Sequence, residues 1–491
     1  MSYDRGSEPE YDAWASLGNS GWNWKNLLPS MLKAENFTRS PPPSNYGTKG
    51  VAVNGGGPIQ AGINEIIPEH QNYWIPTMKN LGLKHNLESL GGDPLGVSFQ
   101  PSSINIKKPN YTRSYSPDYL AIAGSNLKVL LNTTVAKVNL ASNSKSATGI
   151  TLADGTVITA GKEVILSAGS FLSPNLLELS GIGNATIITA AGIKPLVDLP
   201  GVGEHLQDHV RIQASYQLKS NFTSFDILRY NATAAAEQLA LYNSGKKSLY
   251  DYTGSGYSFL TWDDVLGKAG ADEIIKLAVQ AVGTSESPLD KTKLSYLQNS
   301  KLRKSVPQLE VIFSDGYTGV KGYPAVGTPL YGQGFFALIA AIQHPLARGS
   351  VHINTTAPAA KPIINPNYLQ SSYDLAAVKA AAQYLRKIAN TAPLKGAWVA
   401  EYEPGNATQT DADWTAYAKG NVLTIYHPVG TCAMLPENKG GVVDDELRVH
   451  GVKNLRVVDA SVIPILVSGH IQTAVYGIAE RAADLIVDEW D

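Results

Sequence analysis

Two histidines, His427 and His470, and one carboxylate, Asp459, stand where chain elements begin or end. His427 precedes Pro428 in I-Y-H-P-V-G-T-C-A-M, which predicts a turn and not a helix interior. His470 stands before Ile471 to Ile486, a segment with alanines and isoleucines at helical spacing. Asp459 ends a short, largely apolar run, Leu455 to Val458, that reads as a strand. A neutral imidazole, with an unperturbed pKa of ~6.5, suits the removal of a hydroxyl proton at mild pH. Two histidines 43 positions apart, each where an element begins, could converge on one site. Taken singly, each is more often an ordinary surface or capping histidine.

The elements around them are specific. Y-H-P-V-G-T-C-A-M at 426–434, V-V-D-A-S at 457–461 and H-I-Q-T at 470–473 follow one another in the last quarter of the chain. Gly169 to Gly183 reads G-S-F-L-S-P-N-L-L-E-L-S-G-I-G, with Ser173-Pro174 as a predicted helix start and Ser180-Gly181 as its end. These stretches resemble the glucose–methanol–choline (GMC) family of FAD-dependent oxidoreductases, and the resemblance extends over essentially the whole chain.

Bulk composition is consistent with this. A chain of 491 residues suits two or three domains, and 43% hydrophobic with 17% charged residues is a globular composition. A net charge of −2 gives no reason to expect nucleic acid or an anionic membrane as partner. The single cysteine, Cys432, excludes an intrachain disulfide and a cysteine metal cluster. No run of 18 apolar residues predicts a membrane span. His205 and His209 stand four apart without further ligands nearby, so no metal is expected.

Further elements are predicted along the chain. E-Y-D-A-W-A-S-L after Pro9 and Lys25 to Ala34 read as helices, and Pro41 to Pro58 as a loop. Arg113-Ser114 onward reads as a helix ending near Gly124. Leu127 to Ser167 is a β-region: L-K-V-L-L-N, T-V-A-K-V-N-L, A-T-G-I-T-L, T-V-I-T and K-E-V-I-L-S, with a hairpin signal at Asp154-Gly155. Gln308 to Phe313 and Gly334 to Ile339 read as strands, Asn231 to Leu241 and Tyr373 to Thr391 as helices. His344 to Asn354 resembles a hairpin of the family, and its Arg348-Gly349 turn and alternating Val351 and Ile353 fit a sheet of the substrate domain.

The resemblance implies a mixed α/β (α+β) chain. A GMC-type FAD-binding domain would comprise 114–212 and 432–491. A substrate domain on an antiparallel sheet with helices would comprise 60–113 and 213–431, and residues 1–60 would cover the flavin. It implies alcohol oxidation with FAD: a hydride leaves the C–H carbon, His427 takes the O–H proton, and His470 hydrogen-bonds the alcohol. Branches of the family differ between histidine and asparagine at this last position, and His470 follows the glucose- and aryl-alcohol-oxidising branch. Thr134 and Val135 would lie by the adenine, Ala168 and Gly169 by the dinucleotide, and Asp459 and Ala460 by the ribityl–phosphate region. Ile471, Gln472 and Thr473 would present backbone groups to the flavin pyrimidine edge. The implied partners are a small-molecule alcohol and oxygen or another electron acceptor.

Two features modify the expectation. No G-x-G-x-x-G occurs in the sequence. By the resemblance, roughly 80 to 100 residues carrying the βαβ dinucleotide fingerprint would precede Met1, so the chain as written is expected to hold FAD weakly. Alternatives are a flavin-dependent lyase or cyclase on the same fold, and a truncated or degenerate homologue without redox activity. Asn-X-Ser/Thr occurs at Asn36, Asn110, Asn132, Asn184, Asn221, Asn231, Asn354 and Asn406, which points to a glycosylated, secreted protein. Residues 1–20 are polar and acidic and do not read as a signal peptide.

Overall fold

A computed structural model describes residues 2–38, 56–64, 66–107, 111–141, 144–252 and 256–490. Most of the Pro41–Pro58 loop and the sequon at Asn110 lie outside the described residues. Two large apolar cores organise the rest.

The first core is built on an antiparallel sheet. Its strands run in the order Trp398–Glu403, Val210–Leu218, Phe335–Ile342, Leu309–Asp315, Gly256–Leu260 and Gly96–Phe99, with Leu423–Thr424 pairing the start of the Val210 strand. Strand periodicity sends alternate residues to opposite faces. Leu309, Val311 and Phe313, with Phe336, Leu338 and Ala340, face the helices Trp262–Val282, Ser372–Ala389 and Asp411–Asn421. The intervening positions form the other face and include Glu310, Ile312 and Ile339, with Gln213 and Ser215 from the Val210 strand. This second face looks towards the site, so the pleat that buries the apolar residues also aims the Glu310 carboxylate.

The second core joins chain segments distant in sequence. Helices Glu8–Ser16 and Trp24–Ala34 pack with the C-terminal helix Gln472–Trp490. A Cβ at Gly477 would stand 2.7 Å from Met31 Cγ, so the close approach of the last two helices requires glycine there. Val164–Leu166 pairs in parallel with Leu455–Val457. Val135–Leu140, Ala147–Leu152 and Val157–Thr159 form the expected meander, and Gly155 takes φ +89° in its turn.

Four local expectations are corrected. Leu127 to Asn132 is not a strand: among the described residues no strand pairs with it, and Leu130 and Leu131 are 62% and 79% exposed. β propensity alone does not hold a strand whose backbone lacks a ladder partner. The helix after Arg113 is only Pro117–Leu120, because Leu120 and Ile122 remain exposed and no buried face sustains further turns. The helix expected from Ser173 begins at Gly169, with Pro174 inside it. Proline leaves the carbonyl four residues back without its N–H; the Thr431 hydroxyl donates to that Ser170 carbonyl at 2.6 Å. Finally, Arg348-Gly349 is not a hairpin turn of the large sheet. Gly349 exchanges backbone hydrogen bonds with Leu206, Val351 N–H donates to the Gly203 carbonyl, and Ser350–His352 pairs separately with Ile363–Asn365.

Candidate active site

His427 lies in the turn after Leu423–Thr424 and is 6% exposed. The turn is held from one carboxylate. Asp208 accepts the His427 backbone N–H at 2.9 Å, the Thr424 hydroxyl at 2.5 Å and the Tyr368 hydroxyl at 2.5 Å. Tyr426, just before it, takes φ +68°, a left-handed conformation uncommon outside glycine. Its N–H donates to Thr424 Oγ1 at 2.7 Å, so the strained residue is tied into the same turn. The His427 ring faces His209 on one side, Nδ1 to Nδ1 at 2.9 Å, and His470 on the other, Nε2 to Nδ1 at 3.0 Å. Burial, then the neighbouring His470 and His209 rings, hold its pKa well below the ordinary histidine value. The ring is therefore neutral at mild pH.

His470 precedes the helix Gln472–Trp490 and is fixed by two carboxylates from different parts of the chain. Its backbone N–H donates to Asp4 at 2.6 Å, and its Nε2 stands 3.1 Å from Glu310 Oε1. Burial opposes a charge on this ring, but Glu310 and Asp4 outweigh it and raise the pKa. Asp4 is pushed up to about 7 by burial, with His470 acting against the shift. Tyr257 packs edge-on to His470 and hydrogen-bonds Ser2.

The cofactor-binding expectations other than Thr134 and Val135 fall at two connected places. At the first, Asp459 accepts Gly169 N–H at 2.9 Å, the Ser173 hydroxyl at 2.5 Å, and Ser461 N–H and hydroxyl at 2.8 and 2.5 Å. Its carboxylate is thus a clamp between two segments; Ala460 follows it, half-buried. Ala168 and Gly169 begin the helix Gly169–Leu179, and a Cβ at Gly169 would meet nothing within 4 Å. Ser170, next to them, donates to the Pro428 carbonyl at 2.6 Å and so ties this turn to His427. Thr134 is exposed and Val135 half-buried at the start of the meander. At the second place, Ile471, Gln472 and Thr473 form the first turn beside His470, with the Thr473 hydroxyl donating to the Asp4 carbonyl.

Two site residues, Asp4 and Glu310, escaped the sequence reading, and Asp208 and His209 entered it only as family structure around the flavin, without the roles seen here. Glu310 carried a signal, since a lone carboxylate inside L-E-V-I-F is costly unless it meets a partner. Asp4 carried none, and the contact of His209 with His427 carried none, because the partners lie hundreds of residues away. His205 and His209 do not form a metal pair: His209 turns to His427. Among the described residues Asp4, Glu310 and His470 bring ligand atoms within 4.8 Å of one another, and their contacts are those of the hydrogen-bond network above. A cleft of about 820 Å³ opens at Lys84, Asp263 and Arg303 and touches neither His427 nor His470. No helix among the described residues is long and apolar enough to cross a membrane.

Known proteins are similar to this chain over essentially its whole length. The two GMC oxidoreductase family profiles match residues 1–211 and 345–479. The GMC oxidoreductase family protein Mala s 12 of Malassezia sympodialis is 36% identical over 99% of the chain and 77% of its own length. An FAD-dependent oxidoreductase from Chaetomium thermophilum superposes with a TM-score of 0.87 at 28% identity, covering 100% of the chain and 84% of its own. A fungal aryl-alcohol oxidase does so at 0.82 and 28%, with the same coverage. The chain belongs to the GMC oxidoreductase family, and its mixed α/β architecture, an antiparallel sheet backed by helices beside a second core, is that of the solved members.

Proposed function

We propose that this chain oxidises a small primary or secondary alcohol, with His427 as the base and His470 as the group that holds the alcohol oxygen. The observation that carries the reading is the His427–His470 pair, 3.0 Å apart, in which burial keeps one ring neutral and carboxylates favour charge on the other. A neutral imidazole accepts a proton, and a charged one donates to an oxygen on which negative charge develops. An alcohol hydroxyl takes the place of His470 at His427 Nε2. The O–H proton passes to that nitrogen, the carbon loses its hydrogen with the electron pair, and the carbonyl product forms.

The residues present fit FAD, the family's cofactor. Amides in the first turn of a helix have no intrahelical acceptor, and the 19-residue helix Gln472–Trp490 begins beside His470. Ile471, Gln472 and Thr473 supply a donor row suited to the oxygen- and nitrogen-rich pyrimidine edge of a flavin. The open space before Gly169 leaves the start of a second helix accessible to the dinucleotide. The chemistry FAD supplies when bound is a two-electron acceptor for the hydride, regenerated by oxygen or another acceptor. The test is absorbance of the flavin-loaded protein under argon with a panel of primary and secondary alcohols. Bleaching of the flavin band is expected. A bound flavin that no alcohol bleaches would overturn the reading and favour lyase or cyclase chemistry on the same fold.

A further inference from the structure

The site contains a row of rings that extends deeper than the reacting pair. From the carboxylate inwards it runs Glu310 Oε1, His470 Nε2 at 3.1 Å, His470 Nδ1 to His427 Nε2 at 3.0 Å, and His427 Nδ1 to His209 Nδ1 at 2.9 Å. His209 is fully buried immediately before the strand Val210–Leu218. Between two facing ring nitrogens only one carries the proton, so the row has a direction. His209 Nδ1 is engaged with His427, and its Nε2 has no hydrogen-bond partner among the described residues, so the direction is set from the carboxylate end of the row. The Glu310 carboxylate is an acceptor and takes the His470 Nε2–H.

The rest of the row follows. With a proton on each nitrogen of His470, His427 Nε2 is the acceptor and the neutral His427 ring donates from Nδ1 to His209. His470 donates to that Nε2 from Nδ1 and to Glu310 from Nε2, the doubly protonated form that Glu310 and Asp4 support. The opposite direction would set a proton on His427 Nε2 against the Nδ1–H of the doubly protonated His470, 3.0 Å away. Besides His427, the titratable groups around His209 are His344, His470 and Lys293, all of which disfavour charge on it, as burial does.

We propose that His209 is a positioning residue for His427: its Nδ1 accepts the His427 Nδ1–H and keeps the His427 Nε2 lone pair turned towards the place of the alcohol hydroxyl. The proposal rests on the reading of His427 as the base, and extends it to a residue that touches neither substrate nor flavin. A ring held in the wrong tautomer presents an N–H where a base is needed.

The test has two arms. In the first, ¹⁵N NMR of the full chain labelled at histidine reports the His427 tautomer whether or not an alcohol is turned over. A protonated Nδ1 and a bare Nε2 are expected near neutral pH; a protonated Nε2 overturns the proposal. In the second, His209→Leu removes the acceptor and His209→Asn retains an oxygen near the Nδ1 position. His209→Leu is expected to lower kcat about 10²-fold across the pH range with little change in KM, and His209→Asn to recover most of it. Equal losses in both variants, or full activity in His209→Leu, would reduce His209 to packing. If His209→Leu does not fold, the wild-type tautomer decides alone. If no alcohol is oxidised by the wild type, the function reading fails while the NMR arm still stands.

Discussion

Glu310 Oε1 lies 3.1 Å from His470 Nε2, a contact between residues 160 positions apart. The other Glu310 oxygen is buried with no hydrogen-bond partner among the described residues. Glu310→Gln removes the charge that supports a protonated His470. Turnover should fall about tenfold, the scale of a lost electrostatic contribution of this kind. His470 would then lose its proton at lower pH, so the alkaline limb of the kcat profile should move towards neutrality. An unmoved alkaline limb would show that Glu310 does not set the charge on His470.

Replacing the reacting rings themselves should cost more. His427→Ala is expected to lower alcohol turnover by about 10² or more, the usual scale for a general base. His470→Ala should be comparably slow and should also bind the alcohol less tightly. Flavin content should stay near normal in both. Steady-state kinetics alongside the absorbance ratio of flavin to protein checks this, and full activity in either variant would remove that histidine from the mechanism.

Asp459 has a different role. Its carboxylate receives Gly169, Ser173 and both Ser461 donors, so Asp459→Ala leaves several buried polar groups unpaired at once. Each such group costs ~1–3 kcal/mol. A loss of stability of about 2 kcal/mol or more is expected by chemical denaturation, together with loosening of the turns that carry His427 and Gly169. Wild-type stability in Asp459→Ala would contradict the clamp.

His352 gives a pH dependence of opposite cause to His427. Burial pulls its pKa down, but the Glu178 and Glu204 carboxylates on its two ring nitrogens raise it to about 9. The folded state therefore holds this proton more tightly than the unfolded chain. Its stabilising contribution is complete below about pH 6.5 and is lost as pH rises through about 9. Thermal denaturation across this window should show a fall in stability that His352→Gln makes shallower. Identical slopes in the two proteins would refute the assignment.

Secretion is proposed from the sequons. Asn132, Asn221, Asn231, Asn354 and Asn406 are exposed, as glycan attachment requires. Protein recovered from the medium of a eukaryotic host should lose mass on deglycosidase treatment. A zero shift on secreted material would reject it.

Sequence alone was enough for the local parts. Pro9, Pro428 and Asp154-Gly155 marked turns and helix starts that depend only on neighbouring backbone, and the helical period after His470 survives intact in Gln472–Trp490. The family was legible for the same reason, since its motifs are contiguous, and those motifs contain His427 and His470, which the fold brings to 3.0 Å of each other. Tertiary structure decided the remainder. Leu127 to Asn132 has the composition of a strand, yet whether it pairs depends on what stands beside it. Pro174 reads as a helix start, yet lies mid-helix because Thr431, from a distant segment, takes up the Ser170 carbonyl. The charge on His470 is set by Asp4 and Glu310, and the ring facing His427 from behind is His209. Such contacts are fixed by sheet register and by the packing of remote segments, and ring proton positions follow from the partners thus assembled, which no local pattern encodes.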